Sequence, residues 1–132
     1  TAGAAGLAAA IDYLQQVGFN FIQEQELALT RHAMEGLTKV PHVHVMGSEN
    51  PENHTGIVSF TIEGVHPHDV SEILASDGID VRAGHHCAQP LLTYLGVNSS
   101  TRASFMFYNT LEEVDAFVKS VASIRRRMGY GE

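Results

Sequence analysis

Cysteine is almost missing from this 132-residue chain, which has a single thiol at Cys87. One cysteine cannot close an internal disulfide, so a disulfide-stapled secreted scaffold is excluded. Positive charge is also scarce: 8 Lys and Arg stand against 15 Asp and Glu, a net charge of −7 with histidines neutral. Such a surface argues against nucleic acid as a partner. The one dense basic run, Arg125-Arg126-Arg127, suits the last turn of a terminal helix, where cations meet the negative end of the dipole. No apolar stretch approaches the roughly 20 residues needed to cross a bilayer, so no membrane association is expected. The opening TAGAAGLAAAIDYL lacks the basic n-region of a signal peptide, and it lacks an initiating methionine. The expectation is a piece of a longer, cytoplasmic protein. Repeats, low-complexity tracts and long linkers are missing too, and the length suits one domain.

What is present reads as alternating helix and strand. Leu7, Ile11 and Leu14 fall at helical spacing and Gly18 offers a stop, giving a helix over 1–18. A second helix is predicted over Gln23 to Leu37, with Leu27, Thr30, Met34 and Leu37 on one face and Pro41 beyond it. HVHVM and IVSFTI alternate with period two, as half-buried strands do, and GSENPENHTG between them reads as a loop. HPHDVSEILASDG is a helix with Pro67 in its first turn, a Val70, Ile73 and Leu74 stripe, and Gly78 as its end. IDVRA reads as a short strand and CAQPLLTYLG as a short helix burying Ala88, Leu91, Leu92 and Leu95. RASFMFY has the continuous apolar run of a central strand. Thr110 and Glu113 form a capping box ahead of the stripe Leu111, Val114, Phe117, Val118, Val121 and Ile124. The fold class is α+β: a small sheet of about four short strands with helices packed against it.

RAGHHCAQPLL, residues 82–92, holds the chemistry. Between a strand and a helix start, Cys87 meets free backbone N–H groups and the positive helix end, surroundings that favour a thiolate. Gly84 lets the loop bend, while His85 and His86 offer groups that carry a proton near neutral pH. A buried small hydrophobe is the commoner fate of a lone cysteine, but Arg82, His85, His86 and Gln89 are poor core company. A zinc site is weakened because adjacent ligands chelate one ion badly and no CxxC or spaced His/Cys partner completes a set. A Cys-His peptidase would need a distant histidine with an orienting group, and no local motif supports it. A stand-alone, His-rich module that docks a protein partner or metal is the alternative from another class.

DVRAGHHCAQPLL followed by TRASFMFYNTLEEVD resembles the C-terminal part of the SufS-type (group II) cysteine desulfurases. GLAAAIDYL, GIVSF, HPHDV and LASDGIDVRAGHHCAQPLL match in the same order, so the resemblance covers nearly the whole chain. Those are pyridoxal-phosphate enzymes of the aspartate-aminotransferase fold and the class V aminotransferase family. The resemblance implies that residues 1–132 form the C-terminal domain, with 1–18 leading out of a cofactor-binding domain that this chain does not contain. It implies L-cysteine as substrate, a persulfide on Cys87, L-alanine as product, and sulfur supplied for iron–sulfur cluster assembly. Selenocysteine lyases carry a similar loop.

By the same resemblance, Arg102 in TRASF clamps the substrate carboxylate, a task that suits a planar two-pronged guanidinium. Arg82, Gly84, His85 and His86 match the family's loop without individual roles. His68 lies about 200° from Val70 around its helix and should face water. In members with this HPHD pattern, the matching histidine contacts the zinc of a SufU-type sulfur acceptor; a SufE-type acceptor is the other option. A homodimer is implied for the complete enzyme. Lys39 and Lys119 sit in no matching motif, so neither is expected to bind the cofactor, and the isolated chain is expected to be inactive.

Overall fold

The computed structural model describes residues 1–130. Among these, five α-helices and four strands follow in the order α1 (Ala2–Val17), α2 (Phe19–Leu37), β1 (Val43–Val45), β2 (Ile57–Ile62), α3 (Pro67–Ser76), β3 (Arg82–Gly84), α4 (Gln89–Tyr94), β4 (Ser100–Ser104) and α5 (Leu111–Arg127). The strands form one antiparallel sheet in the order β1-β2-β4-β3. This is the expected α+β arrangement.

Alternation decides which face of the sheet is covered. Val58, Phe60 and Ile62 of β2 point to one side, with Val43 opposite Ile62 and Ala103 opposite Val58. All five are buried, in one core with Leu29, Leu37, Val70, Leu74, Val114 and Ile124 from α2, α3 and α5. Phe60 and Phe117 meet edge-on at 5.8 Å, which ties α5 directly to the middle of β2. The other side of the sheet carries His44, Thr61, Ser59, Arg102 and Arg82. It is a polar face.

Several helix ends form as their sequences dictate. The Thr110–Glu113 capping box is complete on both sides. His66 caps α3, its Nδ1 accepting from the His68 N–H, with Pro67 in the first turn. The basic end of α5 has a local explanation, since the Arg127 guanidinium donates to the Asp77 carboxylate at 2.6 Å. Between β2 and β4 a close approach requires glycine: a Cβ on Gly56 would stand 2.3 Å from the Phe105 carbonyl oxygen.

Four elements depart from expectation. α2 starts at Phe19 rather than Gln23, because a single glycine of positive φ, Gly18 at 91°, separates it from α1. Leu29 is fully buried on α2, a wider apolar face than the expected stripe. The third strand is Arg82–Gly84 instead of IDVRA, and β4 ends at Ser104. β4 is an inner strand, but the apolar run FMFY leaves the sheet: Phe105 turns in against Phe117 at 6.0 Å, while Tyr108 is exposed. Finally, α4 is only six residues long and buries Leu92 alone, leaving Leu91 and Leu95 exposed. A helix of under two turns has contact length for a single anchor. α1 buries no residue at all. Among the described residues, no helix is long and apolar enough to cross a membrane.

Candidate functional site

The site grows from one row across the polar face. In register, Ser59 of β2 faces Arg102 of β4, and Arg102 faces Arg82 of β3. Directly opposed residues on neighbouring strands share a face, so the two arginine side chains leave the sheet as neighbours. Like charges so placed repel. Among the described residues, no carboxylate lies within ion-pair distance of either arginine. The Nε of Arg102 is buried without a hydrogen-bond partner. An anion bridging the pair would relieve the repulsion.

Next to the row, the chain leaves β3 through Gly84, whose φ of 127° no side-chain residue adopts readily. Nothing crowds its Cβ position, so the backbone alone demands glycine. A tight turn follows, closed by the Ala88 N–H donating to the His85 carbonyl at 2.9 Å. Its two central residues, His86 and Cys87, are both left-handed, with φ of 55° and 57°. Two positive φ values mark the type I′ class, which normally recruits Asn and Gly. For side-chain residues each costs on the order of 1–3 kcal/mol.

The turn presents the thiol. Cys87 is exposed, and its Sγ lies 4.0 Å from Nη2 of Arg82. That is a long contact, which brings the cation to the sulfur without a strong hydrogen bond. An open cleft of about 460 Å³ lies over Arg82, His85, His86, Cys87 and Pro90. The helix expected to begin at Cys87 begins two residues later, at Gln89, and spans only six residues. Charge near the sulfur therefore comes from Arg82 rather than from a long helix dipole.

The two adjacent histidines differ. His85 is exposed. His86 folds back over the sheet, with Nε2 3.1 Å from the Ser100 carbonyl oxygen and 3.0 Å from its Oγ. A carbonyl can only accept, so Nε2 carries the hydrogen. Nδ1 is then a bare lone pair, and it is buried without a partner. Burial first, then the charges of Arg102, Arg82 and His85, push the His86 pKa below its ordinary 6.5, against the opposing pull of its bond to Ser100. The folded site thus favours neutral imidazole. Its contribution is fully present above the ordinary value and is lost as pH falls through the lowered one.

Arg82, Gly84, His85, His86, Cys87 and Arg102 are therefore brought together on β3, the turn and β4. His68 stands outside this cluster, exposed in the first turn of α3 with its ring stacked on His66 at 5.4 Å. Ser100 and Ser59 are neighbours that the sequence reading missed. Alternation along β4 puts Ser100 on the face of Arg102, but recognising it required the strand's true start. Lys39 and Lys119 lie in the groove between α2 and α5, in the helical layer. Among the described residues, no three His, Cys, Asp or Glu side chains are gathered to hold a metal ion.

Comparison with known proteins agrees with this architecture. The aminotransferase class-V family matches residues 1–117. A probable cysteine desulfurase of Halalkalibacterium halodurans is 46% identical over 129 residues, 98% of this chain and 31% of that protein. One from Streptomyces coelicolor is 43% identical over 97% of this chain and 31% of its own length. The apo structure of a cysteine desulfurase from Thermococcus onnurineus NA1 superposes with a TM-score of 0.90 at 44% identity, covering 95% of this chain and 31% of that one. The chain thus spans about a third of the length of the relatives it matches. Fold and sequence agree, and the chain belongs to the class-V aminotransferase family.

Proposed function

We propose that this chain is the C-terminal domain of a SufS-type cysteine desulfurase, in which Cys87 takes sulfur from L-cysteine as a persulfide. The observation that carries the reading is the exposed Cys87 thiol on a left-handed turn, 4.0 Å from Arg82, whose cross-strand neighbour is Arg102; among the described residues neither arginine has a carboxylate partner. Arg102 binds the substrate carboxylate, and Arg82 keeps positive charge at the attacking sulfur. The Cys87 thiolate attacks the substrate sulfur. A sulfur–sulfur bond forms as the carbon–sulfur bond breaks, its electron pair staying on the substrate carbon, which takes up a proton to give alanine. The persulfide then passes to an acceptor of SufU or SufE type, for which exposed His68 is the contact, and onward to iron–sulfur cluster assembly. The complete enzyme works as a cytoplasmic homodimer.

Carbon–sulfur cleavage of this kind calls for pyridoxal phosphate, and the residues present do not form a site for it. The cofactor needs a lysine amine at its carbonyl carbon, while Lys39 and Lys119 lie in the α2–α5 groove and the arginine row lies on the opposite, polar face of the sheet. In this reading the cofactor is held by residues outside the chain, and α1 leads out of the domain that supplies them. Mixing the isolated chain with pyridoxal phosphate should give no new absorbance band and, with L-cysteine, no alanine. Either signal would overturn that division of labour.

The clamp has its own test in the complete enzyme. Arg102→Lys keeps the charge but loses the planar fork, and should raise KM for L-cysteine by about 100-fold. An unchanged KM would remove Arg102 from the substrate site.

A further inference from the structure

The turn that carries Cys87 is held against its own backbone preference, and one backbone hydrogen bond does not balance two left-handed side-chain residues in succession. Something else must fix it. The excursion between the strands leaves at Gly84 and returns at Ser100, two residues that pair directly across β3 and β4. His86 stands at the root of that excursion and returns its ring to the same Ser100, which is fully buried. Ser100 is two residues ahead of Arg102 on one inner strand.

We infer that His86 is a positioning residue for Cys87: its Nε2–H, bonded to Ser100, holds the 85–88 turn in the left-handed form that sets the thiol beside Arg82. The bond joins the sulfur-bearing turn to the strand that carries Arg102, so thiol and clamp keep a fixed relation. The neighbour supplies an internal control, since His85 is the same residue type in the same turn but exposed. The lowered pKa of His86 agrees with this role, because a second N–H at the buried Nδ1 would face Arg82 on β3, Arg102 on β4 and His85 with nothing to accept it.

The inference rests on Cys87 being the sulfur acceptor, and its test separates the two. In the complete enzyme, amide hydrogen exchange at Ala88 reads the turn and persulfide formation from L-cysteine reads the thiol's placement. His86→Ala should speed Ala88 exchange about tenfold, the loss of about one net hydrogen bond. It should lower kcat for persulfide formation by a similar factor with KM unchanged, because the carboxylate clamp is untouched. His85→Ala should leave the exchange within about twofold of wild type, as an exposed side chain does. His86→Gln, which keeps an N–H donor of similar reach, should restore both readouts to within about threefold.

Unchanged Ala88 exchange in His86→Ala, or an equal loss in His85→Ala, overturns the inference. If His86→Ala unfolds the domain, seen as lost protection at Val58 and Phe60, the glutamine variant decides alone, and loss of either readout there overturns it. Persulfide formation that survives Cys87→Ala would instead remove the sulfur-acceptor reading and leave the exchange result standing.

Discussion

Cys87→Ala in the complete enzyme should abolish the protein persulfide on this domain, a loss on the order of 10³-fold or more in sulfur transfer. The size follows from chemistry that no neighbour can replace. Cys87 is the only thiol in the chain, and imidazole and guanidinium cannot hold a sulfane sulfur. Cys87→Ser should fail equally, because an alcohol is neither ionised enough nor soft enough to take the atom. Mass spectrometry of the peptide carrying position 87, after exposure to L-cysteine, reads the added sulfur directly. Neither substitution touches the core, since the side chain is exposed, so thermal stability should stay near wild type. A persulfide of normal yield elsewhere in the enzyme would sink the assignment.

Phe60→Ala should cost about 3–5 kcal/mol of folding stability, a large share of the 5–15 kcal/mol typical of a domain. Phe60 is fully buried in the middle of β2, meets Phe117 edge-on, and has Val45 and Thr101 as its cross-strand partners. Removing the ring opens a cavity where β1, β2, β4 and α5 converge, and β4 is the strand that carries Ser100 and Arg102. Urea unfolding of the variant measures the loss. Leu91→Ala is the contrast: Leu91 is equally apolar but 55% exposed on α4, and its truncation should cost less than about 0.5 kcal/mol. Equal losses at the two positions would mean that α4 belongs to the core.

Legibility in the sequence followed the range of the forces involved. Local rules located what local rules control. The Thr110–Glu113 box, the Pro67 start and the alternation of IVSFTI each became the expected element, because capping bonds and period-two burial are decided within a few residues. Position 87 also attracted attention locally, through the company of its neighbours. The site's arrangement was not legible in that way. Nothing in GHHCA announces a left-handed turn, since the Asn and Gly that such turns recruit are absent at 86 and 87. The different roles of His85 and His86 depend on a fold-back to β4, a contact between residues 14 apart in sequence. The opposition of Arg82 and Arg102 is a property of strand register, which pairing fixes and composition does not. FMFY misled for the same reason: apolar character marked burial partners, but Phe105 found its partner on α5 instead of in the sheet.

The bare face of α1 has a thermodynamic consequence. Sixteen residues that include Gly3 and Gly6 and fully bury no side chain have little beyond their own backbone ladder and the Tyr13–Phe107 contact at 6.4 Å to keep them coiled, and a ladder of that length is marginal in water. On warming, this segment should therefore lose its coil well before the sheet gives way.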